Sequence, residues 1–119
     1  MTDRPTARFA GTQSSRASLF HEAQAIIEHE YGDDVAVDGL AQRVLASRRQ
    51  LQRAFTDAGT SVRAELGAVK MRQAAKLLVS SSLPVGAIAS RVGYRQPAHF
   101  ADAFRRRHGM TPSQYRQRA

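Results

Sequence analysis

The residues best suited to chemistry in this 119-residue chain are arginines and amides spaced to share a helix face. Arg49, Gln52 and Arg53 form one such set. A guanidinium fork matches guanine O6/N7 and a glutamine amide matches adenine N6/N7, each good pair discriminating by roughly 1–3 kcal/mol. On a wheel turning about 100° per residue, Ala54 and Phe55 lie beside Leu51. Arg49, Arg53 and Thr56 then lie nearly opposite, with Gln52 flanking them. The same construction about Phe100 turns Ala103 and Phe104 inward and presents Arg95, Ala98, Asp102, Arg105 and Arg106, with His99 at the rim. Asp102 stands at the centre of that second face. It is placed either to pair with Arg106 one turn later or to accept from cytosine N4. Arg107 turns toward the packed side, where a bridge to the preceding long helix or to a carbonyl is expected.

Other chemistries find no support. His21-Glu22 and His29-Glu30 are about 12 Å apart on a helix, too far to share a metal ion. No Ser/His/Asp trio, phosphate-cradling glycine loop or close carboxylate pair has supporting context, so the chain is read as no enzyme, with no catalytic residue, metal or cofactor. There are no cysteines, which removes disulfides and thiolate metal sites. No apolar run approaches the roughly 20 residues of a membrane span, and the first residues lack a signal-peptide core. The expected location is the cytoplasm, in association with the nucleoid.

Charge points toward a polyanionic partner. Residues 1–40 hold three arginines and seven acids (−4), and residues 41–119 hold fifteen basic and three acidic residues (+12), which together give the net +8. Sixteen of the eighteen basic residues are arginine. The acids Glu28, Glu30, Asp33, Asp34 and Asp38 are read as solvated, or as a contact for RNA polymerase.

These side chains need helices to hold them, and apolar periodicity supplies seven, with no strand signal. Residues 1–16 lack a period and read as a flexible arm. Leu19, Ala23, Ile26, Ile27 and Tyr31 then mark an amphipathic packing helix from Ser18, ended by Gly32-Asp33-Asp34. Two later stretches, residues 40–61 and 88–111, repeat one another. Leu40-Ala41 and Val44 match Ile88-Ala89 and Val92; Leu51 and Phe55 match Phe100 and Phe104; Gly59 matches Gly109. The second copy has one extra residue in its turn and one before its glycine. Each copy is a short helix, a tight turn and a longer helix, with a small residue (Ala41, Ala89) where the two cross. Ser47 and Gln50 form a capping-box pattern. Between the copies, Val62, Leu66, Val69, Met71, Ala74, Leu77 and Leu78 mark a helix roughly 28 Å long. Pro84 suits the first turn of the next helix, and Thr111-Pro112 opens a last one ending near Arg118. The all-α chain divides into the arm (1–16), a first helix-turn-helix unit with its packing helix (17–61), a linking helix (62–80) and a second unit (81–119).

Several stretches together resemble the DNA-binding region of AraC/XylS-type bacterial transcription regulators. In the first copy they are Leu40-Ala41, the run from Ser47 through Arg49, Gln52 and Arg53 to Phe55, and Gly59. In the linking helix they are Lys70-Met71 through Ala75 to Leu77-Leu78. In the second copy they are Ile88-Ala89, Val92-Gly93-Tyr94, Phe100, Phe104-Arg105, Gly109-Met110-Thr111-Pro112 and Tyr115-Arg116. The resemblance covers residues 19–118. It implies a sequence-specific double-stranded DNA-binding regulator, an activator, that inserts residues 47–58 and 96–108 into successive major grooves. The linker length is compatible with the groove repeat of ~34 Å. By resemblance, Arg49, Gln52 and Arg53 read bases in the first unit. Gln96, Pro97, Ala98, Ala101 and Asp102 occupy the corresponding second-unit positions, of which Gln96, Ala98 and Asp102 are taken as readers. Asp102 departs from the basic or small residue frequent there. Ser47, Arg48, Thr56, Arg95, His99, Arg105 and Arg106 are assigned to phosphates. The chain also resembles short stand-alone members that act as monomers, or else an isolated C-terminal piece of a larger regulator. The competing reading is a small helical adaptor whose arginine face docks an acidic protein.

Overall fold

The computed structural model describes residues 12–33 and 35–119. Among the described residues there are seven helices and no strand: α1 (Thr12–Glu30), α2 (Val37–Arg43), α3 (Arg48–Asp57), α4 (Val62–Ser80), α5 (Val85–Arg91), α6 (Pro97–His108) and α7 (Pro112–Arg118). They belong to two compact units, the described parts of Met1–Glu30 with Val35–Leu66, and of Tyr31–Asp34 with Gly67–Ala119.

In the first unit, Ala23 and Ile27 of α1, Leu40 and Ala41 of α2, and Leu51, Ala54 and Phe55 of α3 are buried together with Val44 and Val62. Phe20 stands edge-on to Phe55 at 4.9 Å, an aromatic contact worth about 0.5–1.5 kcal/mol beyond the area it buries. The turn between α2 and α3 closes with the Ala46 amide donating to the Ala41 carbonyl at 2.9 Å. The expected capping box is present in both directions: the Gln50 amide donates to Ser47 Oγ at 3.0 Å, and the Ser47 amide to Gln50 Oε1 at 2.7 Å.

Helix α1 departs from expectation at its start. The arm's first eleven residues lie outside the described residues, but Thr12 to Arg16 are already helical. Apolar period could not signal this turn, which carries no apolar stripe; at its end Arg16 Nε lies 2.7 Å from the Asp57 carboxylate of α3. At the other end the helix stops at Glu30, and Tyr31 packs against the core of the second unit. Gly32 approaches the Arg91 carbonyl so closely that a Cβ there would lie 2.8 Å from the oxygen. The glycine is required by that approach.

The second unit repeats the design on a larger core. Met71, Ala74, Ala75 and Leu78 of α4, Ile88 and Ala89 of α5, and Phe100 and Phe104 of α6 are buried with Val92. Tyr94 meets Phe100 at 5.7 Å, and Tyr115 of α7 meets Phe104 at 5.3 Å. The Tyr94 amide donates to the Ala89 carbonyl at 2.9 Å, the counterpart of the bond that closes the first turn. Here the turn residue Gly93 takes φ 93°, whereas the first copy places Leu45 at φ 57°. Pro84 stands just outside α5 as its N-cap, one position earlier than the spacing suggests, and the Ile88 amide donates to its carbonyl at 3.1 Å. Thr111 and Gln114 form a second capping box, and Pro112 opens α7.

Helix α4 runs from Val62 to Ser80, matching the periodicity, and its residues serve both cores: Val62 is buried in the first unit, and Met71, Ala74 and Leu78 are buried in the second.

Candidate nucleic-acid interface

The rotation of each longer helix is fixed by what it buries. On α3, Leu51, Ala54 and Phe55 are at most 1% exposed, which leaves Arg49, Gln52, Arg53 and Thr56 exposed on the other side. Arg48 and Ser47, at the start of the helix, are exposed as well. The wheel reading and the structure therefore select the same face.

The polar groups on this face retain bonding capacity. The Ser47 hydroxyl accepts from the Gln50 amide, so its own proton is left to donate. Thr56 Oγ1 donates to the Gln52 carbonyl at 2.9 Å and keeps its lone pairs. Arg48 is 3.4 Å from Asp38 with both side chains well exposed, a pair worth at most about 1 kcal/mol and readily exchanged for a phosphate.

On α6, Phe100 and Phe104 are fully buried, and Arg95, Gln96, Pro97, Ala98, His99, Asp102, Arg105 and Arg106 are exposed. Ala101 is half-buried at the edge of this face. Gln96 is the N-cap and makes no side-chain capping bond, so its amide faces outward unspent, while Pro97 occupies the first helical position. Asp102 belongs to none of the ion pairs found among the described residues. Of the two roles open to that carboxylate, the pair with Arg106 is not formed.

Two further expectations change. Arg107 does not bridge to a carbonyl; it is exposed at the wall of a groove against α4. The bridging arginine is Arg116 of α7, whose Nε donates to the Leu78 carbonyl at 3.0 Å and whose Nη2 donates to the Ser81 carbonyl at 3.1 Å. These carbonyls lie at the C-terminal end of α4, where a helix leaves its last acceptors without partners of its own. The break from Ser80 to Pro84, followed by an arginine in the closing helix, was the available signal.

The acidic stretch is partly spent within the first unit. Arg43 donates to Glu30, and that hydrogen bond holds the Glu30 carboxyl below its ordinary value and raises the Arg43 guanidinium. Asp38 faces Arg48, Asp33 is exposed, and Asp34 lies outside the described residues. No group of three His, Cys, Asp or Glu able to hold a metal stands among the described residues, and no described helix is long and apolar enough to cross a membrane.

A family model described as "Helix-turn-helix domain" matches residues 40–118. The chain is 33% identical over 120 residues to the HTH-type transcriptional regulator GlxA of Rhizobium meliloti, covering 97% of this chain and 37% of that protein. Its fold is similar to a transcriptional regulator of Chromobacterium violaceum with an AraC-type DNA-binding domain, at TM-score 0.82 and 26% identity over 87% of this chain and 94% of the other. It is also similar to the DNA-binding domain of AdpA, a global transcriptional factor solved in complex with a target DNA, at TM-score 0.77 and 31% identity over 82% of this chain and 89% of the other. The curated relatives first matched are longer proteins, of which the chain spans between 20% and 41%.

Proposed function

The chain belongs to the AraC-type helix-turn-helix family, and from that premise we propose that it is a sequence-specific regulator of transcription that binds double-stranded DNA and activates its targets. The observation that carries this reading is the pairing, in each unit, of a fully buried apolar set (Leu51 and Phe55, Phe100 and Phe104) with an opposite face whose polar groups are exposed and largely unspent. Residues 47–58 and 96–108 read two successive major grooves. Arg49 and Arg53 suit guanine, Gln52 suits adenine, and an unpaired Asp102 suits cytosine N4. Gln96 and Ala98 complete the second reading set, Ala98 as an apolar contact for a thymine methyl. Ser47, Arg48, Thr56, Arg95, His99, Arg105 and Arg106 hold the flanking phosphates, which position the reader without specifying sequence.

The protein acts on the nucleoid in the cytoplasm and binds as a monomer, with RNA polymerase as a further partner through exposed acids such as Asp33. Selection of sequences from random duplex DNA at physiological salt tests the central claim. Enrichment of a motif about 15–20 base pairs long, with two half-elements one turn apart, is the expected result. Recovery of no motif would refute it.

A further inference from the structure

We propose that a groove in the second unit, bounded by α4, α6 and α7, is a docking site for an acidic amphipathic segment of a partner protein. The groove encloses about 780 Å³. Ala75, Val79 and Tyr115 line it together with the cations Arg72, Lys76 and Arg107. Val79 is 56% exposed, and with Leu45 it is one of two exposed large hydrophobic residues among the described residues. No acidic residue lines the groove, so Lys76 and Arg107 meet no carboxylate within it.

The site lies away from the reading face. Arg107 follows Asp102 by five residues and is turned about 140° from it around α6. Duplex DNA would use the cations and leave the apolar lining idle. A helical segment uses both: apolar anchors one turn apart meet Val79 and Tyr115, and carboxylates on its flanks lie over Lys76 and Arg107. Charge complementarity of this kind fixes register and suppresses wrong partners.

The test is a titration of the isotope-labelled full chain with a synthetic helical peptide carrying leucines on one face and glutamates on its flanks, followed by NMR. A scrambled peptide of the same composition serves as control. Shifts confined to α4 after Ala68 and to Arg107, His108 and Tyr115 are expected. Val79→Glu and Lys76→Glu should each weaken peptide binding about tenfold, while Arg105→Ala stays within about twofold. Both altered side chains are exposed, so the fold should survive; if Val79→Glu unfolds the chain, Lys76→Glu alone decides. Equal binding of the scrambled peptide, shifts centred on Arg49 or Arg105, or unchanged binding by a folded Lys76→Glu variant overturns the proposal. So does a loss of duplex DNA affinity in the folded variants with peptide binding intact, which would assign the groove to nucleic acid.

Discussion

At the scale of single residues, Asp102 shows how context decides chemistry. A carboxylate at the centre of an arginine-rich face would ordinarily be neutralised by a neighbour at i+4, yet it has no ion-pair partner here. On the proposed DNA-facing side, a donor on a base would compensate an unpaired acid for its repulsion from phosphates. Asp102→Ala should therefore shift preference at one base pair by roughly 1–3 kcal/mol, measured by competition among duplexes differing at that position. A uniform gain across all duplexes would instead mark the acid as mere repulsion. Leu45 presents the opposite problem, being 93% exposed with φ 57°, where the second turn has Gly93. The left-handed conformation costs a side chain about 1–2 kcal/mol, and Leu45 makes little packing to offset it. Leu45→Gly should stabilise the chain by about 0.5–1 kcal/mol in urea unfolding, after the extra freedom of glycine in the unfolded state is counted. A loss of stability would mean that the leucine contributes contacts its exposure does not suggest.

At the scale of elements, the longer helices of the two units start differently although their sequences repeat. Helix α3 begins with a reciprocal capping box, whereas α6 begins with Gln96, which forms no side-chain cap, followed by proline. Removing the Ser47 hydroxyl leaves a first-turn amide of α3 without its acceptor. Ser47→Ala should cost about 1 kcal/mol and speed amide exchange in the first turn of α3 while leaving α6 unchanged. Equal exchange in the two proteins would show that the cap holds nothing. Periodicity made such features legible wherever a helix buries one face: the bounds of α4 and the exposed faces of α3 and α6 can be read from the sequence, and residue type adds the capping box at Ser47. It was silent where order comes from a distant partner. Arg16 near the start of α1 pairs with Asp57, Tyr31 continues the apolar stripe of α1 yet packs with the second unit, and Arg116 finds carbonyls that only the fold brings near. An arginine's partner is set by tertiary placement, so Arg107 and Arg116 could not be told apart by spacing alone.

At the scale of the whole molecule, the division of charge bears on how binding responds to salt. The first forty residues are net negative and the remainder carries +12, so the cations available to phosphates come from the helix-turn-helix region. Four exposed arginines, Arg48, Arg95, Arg105 and Arg106, are assigned to phosphates, and each phosphate neutralised releases condensed counterions. With a dependence of about −0.9 per contact, the logarithm of the affinity should fall with the logarithm of salt at a slope near −4. Arg105→Ala should reduce that slope by about one and weaken all duplexes alike, whereas Arg49→Ala should chiefly relax preference at one position. Measurements of selected and random duplexes across a salt series distinguish these outcomes. A slope near zero would remove the phosphate contacts altogether. A slope that Arg49→Ala flattens as much as Arg105→Ala does, with no change in preference, would move Arg49 from the bases to the backbone and leave the first unit without its proposed guanine reader.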